Sequence, residues 1–161
     1  MMNESKLWNL MQEPLPPLSH QKRLAYRTTK SEAIKIFKII NEEVFDNALS
    51  LPEIIVKSHR RKYWGMCHGE HEKIKYRKTL CWIELMDKFY CKQWFITILA
   101  HEMCHQAQWD LDGVKRLEQG KDRIMTHGPS FFEYRDKLAE HGISLKKWHR
   151  RNKWFRTQSF R

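Results

Sequence analysis

His101 and His105 stand one helical turn apart, with Glu102 directly after the first. Side chains four residues apart on a helix lie one above the other. Both imidazoles can therefore face one metal ion, with Glu102 in reach of a water on that ion. This is the H-E-x-x-H spacing of a hydrolytic zinc site. Zinc held by three protein ligands keeps a fourth position for water, brings that water's pKa to about 7 and polarises a carbonyl. In that chemistry Glu102 is the general base that activates the zinc-bound water. The competing reading is two histidines on a helix surface. The preceding residues, Gln93 to Ala100, argue against it, because they are largely apolar and long enough to continue the motif into one buried helix.

A third ligand must come from elsewhere in the chain. His127 lies 22 residues after His105, in His127-Gly128-Pro129-Ser130-Phe131-Phe132 at the start of a further helical segment, which suits an imidazole returning to the metal. Glu133 and His141 are rivals, the first for a His-His-Glu site. A metzincin arrangement is excluded, since Gln108 and Leu111 stand where that pattern needs Gly and His.

The elements that would position these residues follow from local patterns. Thr29-Lys30-Ser31-Glu32 has the form of a capping box, and Ile34, Phe37, Ile40 and Val44 continue at helical spacing to near Phe45. Strands are expected at Ile54–Val56, Tyr63–His68 and Leu80–Leu85, with a basic turn at Lys57–Lys62 and a charged hairpin loop at His71–Lys78. Asp110–Thr126, with balanced charges and few apolar residues, reads as a mobile surface loop. Pro129 suits the first position of the next helix, which Gly142 closes. Glu13-Pro14-Leu15-Pro16-Pro17-Leu18 cannot be helical through its prolines, so residues 1–27 read as an extended N-terminal arm.

Composition sets the frame. At 161 residues and 41% hydrophobic, the chain supports one domain with a real core. Thirty Lys and Arg against 19 Asp and Glu give +11, a balance that favours polyanionic partners. The N-terminus does not read as a signal peptide and no stretch reaches membrane-spanning length, so an intracellular protein without a membrane partner is expected: cytoplasmic, or nuclear in a eukaryote, and not secreted. Cys67, Cys81, Cys91 and Cys104 contain no C-x-x-C pair, which argues against a second, structural zinc. They read as buried thiols, with Cys67 a candidate to approach the metal.

With His101-Glu102-Met103-Cys104-His105 followed by His127-Gly128-Pro129-Ser130-Phe131, the chain resembles the SprT-like metalloprotease family, over roughly residues 30–142. The Phe37–Pro52 segment and the strands around Trp64-Gly65 and Ile83-Glu84-Leu85 fall in the order expected of that domain. The resemblance implies one zinc ion held by His101, His105 and His127, with Glu102 as catalytic base. The strand and helix patterns themselves give an α+β domain over residues 28–145, in which a small three-stranded sheet packs against helices; the resemblance makes it zincin-like, with the motif on the central helix. The implied activity is zinc-dependent peptide-bond hydrolysis, acting on DNA-associated proteins. Many members of that family carry a C-terminal zinc ribbon, which the four scattered cysteines give no reason to expect here.

Residues 146–161 carry seven Lys or Arg, no acid and four aromatics. Lys146, Lys147, Trp148, Arg150, Arg151, Lys153, Trp154 and Arg156 are the candidate DNA contacts, with cations for phosphates and rings for stacking on bases. The alternative is a tail whose aromatics pack on the domain. Two other functional readings compete with a peptidase: a nucleic-acid-binding protein with a structural zinc and no proteolysis, and hydrolysis of a non-peptide carbonyl.

Overall fold

The computed structural model describes residues 4–16, 23–58, 63–69, 81–113 and 127–147. The elements are α1 (Lys6–Met11), β1 (Tyr26–Arg27), α2 (Lys30–Phe45), β2 (Glu53–Lys57), β3 (Gly65–Gly69), β4 (Cys81–Met86), β5 (Lys88–Phe89) and α3 (Lys92–Ala107). A π-helical turn (Gln108–Gly113), a 3-10 turn (Phe131–Tyr134) and α4 (Arg135–Glu140) follow. The architecture is α+β. Its main sheet has the order β2-β4-β3, with β2 parallel and β3 antiparallel to β4. A short antiparallel ribbon pairs β1 with β5.

α2 starts where the cap pattern places it. The Thr29 hydroxyl accepts the amide of Glu32, and Ile36, Phe37, Ile40 and Val44 form the buried stripe. Asp46 and Asn47 end it, both with positive φ. The buried Asn41 amide then holds the departing chain by bonding both the N–H and the C=O of Leu49. α4 ends as expected at Gly142, whose φ of 80° provides a left-handed stop. The amides of Ile143 and Gly142 return to the carbonyls of Leu138 and Ala139, the two bonds of a Schellman motif.

α3 is the central helix, and it is enclosed on all sides. Of its sixteen residues only Lys92 and His105 are not buried. Near its N-terminal end, Trp64 packs against Phe89, Tyr90 and Trp94 with ring centroids 5.4–5.7 Å apart. On the sheet side Gly65 permits close approach: a Cβ there would lie 3.1 Å from the Ile98 side chain.

Three segments differ from the sequence expectation. Lys6–Met11 of the arm is helical, capped by Ser5, and buries Leu7 and Met11, which lie four apart on one face. Among the described residues of the arm, 12–16 and 23–25 lie outside helix and strand. α3 does not give way to a loop at Asp110 but continues as the π turn to Gly113. Trp109 of that turn lies over Gly69, where a Cβ would sit 2.3 Å from the indole, so the packing requires glycine. After His127 the helix begins at Phe131 rather than at Pro129, with the Phe131 amide closing a turn onto the Gly128 carbonyl. The hairpin loop His71–Lys78, most of the basic turn and the 114–126 part of the loop lie outside the described residues, as does the tail from Trp148.

If α1 belongs to the core, Leu7→Ala should lower stability by about 2–5 kcal/mol in urea unfolding. A loosely attached arm would give a change close to zero.

Candidate metal centre

α3 delivers His101 and His105 on adjacent turns. The turn after Thr126 delivers His127 against them. Each of the three residues has a ligating nitrogen within 4.8 Å of the other two, so the cluster can hold a metal ion. The ring centroids are 5.0 Å apart for His101 and His105, 4.9 Å for His105 and His127, and 5.6 Å for His101 and His127.

Phe131 forms the apolar wall behind them. It is fully buried and lies 4.8, 4.5 and 4.8 Å from the His101, His105 and His127 rings. The turn that positions His127 thus also carries the residue that all three imidazoles pack against. A ring edge or face at this distance leaves an imidazole little freedom to rotate.

Glu102 is almost completely buried, and its Oε1 lies 3.8 Å from His101 Nε2. Burial pushes its carboxyl up to about 8, against the opposing effect of a hydrogen bond from the Cys67 backbone amide. Its Oε2 is buried and has no hydrogen-bond partner among the described residues. Burial likewise takes His105 down to about 4, with a smaller upward effect from Gln108, and lowers His127 with help from the nearby Lys147 charge. Three converging imidazole nitrogens, with His105 and His127 held toward the neutral form, are a donor set that can take a divalent cation such as zinc.

His105 Nδ1 lies 2.8 Å from Gln108 Oε1, and the Gln108 amide nitrogen donates to Ser130 Oγ at 3.0 Å. An amide oxygen can only accept, so Nδ1 carries the proton and Nε2 is the nitrogen left free to ligate. Sequence reasoning noted Gln108 only as a departure from another motif. The available signal was its place three residues after His105, on the same helical face.

The rival ligands lie elsewhere. Glu133 is exposed. His141 Nδ1 is 2.9 Å from Ser5 Oγ and 3.8 Å from Glu43, where it helps dock α1. The Cys67 thiol bonds Cys81, and that contact together with burial raises it well above the usual thiol range, so it is no thiolate. All four cysteines are free. Lys146 and Lys147 are exposed; the other six candidate DNA contacts, Trp148, Arg150, Arg151, Lys153, Trp154 and Arg156, lie outside the described residues.

The model of the SprT-like family matches residues 33–149. The chain belongs to that family. The match includes most of α2, the sheet, α3 and the His127–Phe131 turn, and so the elements that build the histidine cluster. None of the curated proteins matches the chain. No helix of the described residues is long and apolar enough to cross a membrane.

The cluster makes a direct prediction. Elemental analysis of protein purified without chelators should find one metal ion per chain, lost in His127→Ala and kept in Glu133→Ala. Loss with Glu133→Ala alone would instead establish a His-His-Glu site.

Proposed function

We propose that this protein is a zinc-dependent metallopeptidase whose substrates are proteins associated with DNA. The observation that carries the peptidase reading is the convergence of three histidine nitrogens within 4.8 Å, with the Glu102 carboxylate beside His101, in a chain of the SprT-like family. His101, His105 and His127 would hold the ion. When bound, zinc supplies Lewis acidity toward a carbonyl oxygen and toward water.

The chain's own groups supply the rest. Glu102 takes a proton from the attacking water and returns it to the departing amine, so one carboxylate serves as base and then as acid. Its position is set by α3 and by the Cys67 amide, and a bound dication would favour its carboxylate form against the upward push of burial. The Phe131 wall keeps bulk water from the back of the site. No side-chain nucleophile is needed, consistent with Cys104 being wholly buried and its thiol raised far above the usual range by that burial.

The DNA part of the reading rests on charge. The chain carries +11, and its tail is basic and aromatic from Lys146 onward. Lys147 lies close enough to His127 to act on it electrostatically, so the basic stretch is rooted beside the histidines. A polyanion gripped there would hold an attached protein within reach of the site.

Glu102→Gln decides between an enzyme and a nucleic-acid-binding protein with structural zinc. The variant should keep its metal and lose about 100-fold or more of peptidase activity against a DNA-bound protein substrate. Full activity in Glu102→Gln, or no activity in the metal-loaded wild type with and without DNA, overturns the enzyme reading. Separately, a chain ending at Leu145 should keep its metal while DNA affinity falls and the dependence of binding on salt flattens, because up to seven cations are removed. Unchanged affinity would remove the tail from the interface.

A further inference from the structure

Gln108 occupies an unusual position. It is the residue at which α3 passes into the π turn, and it is 2% exposed although its side chain is a primary amide. Burying an amide is costly unless its hydrogen bonds are made, and both ends of this one are used. The carbonyl accepts from His105 Nδ1 at 2.8 Å, and the amino group donates to Ser130 Oγ at 3.0 Å. The first bond reaches an imidazole on α3. The second reaches the turn that carries His127 three residues earlier, and Ser130 is adjacent to Phe131.

We propose that Gln108 is a positioning residue for the metal centre: through its two ends it fixes the tautomer and ring orientation of His105 and holds the His127 turn at the correct distance from α3. The inference rests on the three histidines being the metal ligands. Its logic is general. An imidazole ligates through the nitrogen that carries no proton, and a hydrogen bond to the other nitrogen chooses which one that is. An acceptor fixed at Nδ1 leaves Nε2 bare and turned away from Gln108. A neutral amide does so without adding charge to the site, which distinguishes it from the carboxylates that often fill this role. The π turn contributes by continuing the helix beyond Gln108, so that its backbone is held on both sides.

Two variants separate the positioning role from simple packing. Gln108→Met has similar volume and neither contact, while Gln108→Glu keeps one oxygen to accept from His105 and another to accept from the Ser130 hydroxyl, which can donate as well as accept. In metal-free protein, nitrogen-15 NMR of the histidine rings should show His105 protonated at Nδ1 in the wild type and in Gln108→Glu, but as a mixture of tautomers in Gln108→Met. Zinc affinity, measured by competition with a chromogenic chelator, should fall about 10–100-fold in Gln108→Met and return to the wild-type value or better in Gln108→Glu.

A folded Gln108→Met with the wild-type tautomer and affinity overturns the proposal. If Gln108→Met does not fold, Gln108→Glu alone decides: a His105 protonated at Nε2, or zinc binding as weak as 10-fold below wild type, overturns it. The NMR result is independent of metal. A wild type that shows the Nδ1 tautomer but binds no zinc would sink the metal-site reading and the metal half of this one, while leaving the orientation of His105 by Gln108 established.

Discussion

Enclosing α3 on every side takes Gln93, Thr97, His101, Glu102, Gln106 and Gln108 out of water together, and each of these groups must find a partner inside the protein or raise the cost of folding. The partners are spread over the whole fold. Thr97 bonds back to the Gln93 carbonyl within the helix. Gln93 itself donates to the Glu13 carbonyl of the N-terminal segment. Gln106 reaches the Ser50 carbonyl after α2 and Asp110 of the π turn. Glu102 takes the Cys67 amide of β3, and His105 is joined through Gln108 to Ser130. Apart from the Thr97 bond, these contacts fix α3 against several different segments. The buried polar residues of one helix thus set the register of the arm, the sheet, the π turn and the His127 turn around it.

Apolar packing divides along the same helix. The N-terminal half is surrounded by aromatic rings from β5 and its neighbours, with Trp64 against Phe89, Tyr90 and Trp94 and Tyr26 against Phe95. The C-terminal half meets one dominant ring, Phe131, and that ring faces imidazoles. One half of the helix therefore contributes burial of apolar area, while the other holds His101 and His105 against a rigid wall. A site anchored this way gains its precision from the half that has no part in the chemistry.

Much of this was legible in the sequence, and the boundary of what was legible is physical. The Thr29 cap, the Gly142 stop and the His101–His105 spacing are local, determined by backbone bonds within a few residues, and each is found where the pattern places it. His127 was accessible because a turn of Gly and Pro brings it to the start of a helix. The parallel pairing of β2 with β4 was not accessible, since strand order depends on contacts between segments distant in sequence. α1 was missed because the prolines dominate the composition around it, and the docking of Leu7 and Met11 is a tertiary effect on a segment too short to be stable alone. The continuation past Gln108 was masked by the charges of Asp110–Thr126, which do not reveal that Trp109 has Gly69 to pack on.

The contact between β3 and Glu102 follows from strand geometry in the same manner. Among the described residues β3 pairs only with β4, and Cys67 sits opposite Ile83. In an antiparallel pair, alternate residues point their amides toward and away from the partner strand. The Cys67 amide bonds Glu102 on α3, so it is one that points away, and Gly65 and Gly69, two residues to either side, share its orientation. Both flanking positions lack a side chain and lie under a close neighbour, Ile98 at Gly65 and Trp109 at Gly69. Glycine at these two positions lets α3 and its π extension approach the strand closely enough for the amide between them to reach the carboxylate. A larger residue at Gly69 would displace Trp109 first, and with it the turn that begins at Gln108. The edge of the sheet and the end of the helix are therefore parts of one arrangement, in which Glu102 and His105 are held by backbone and side-chain groups that no contiguous stretch of sequence brings together.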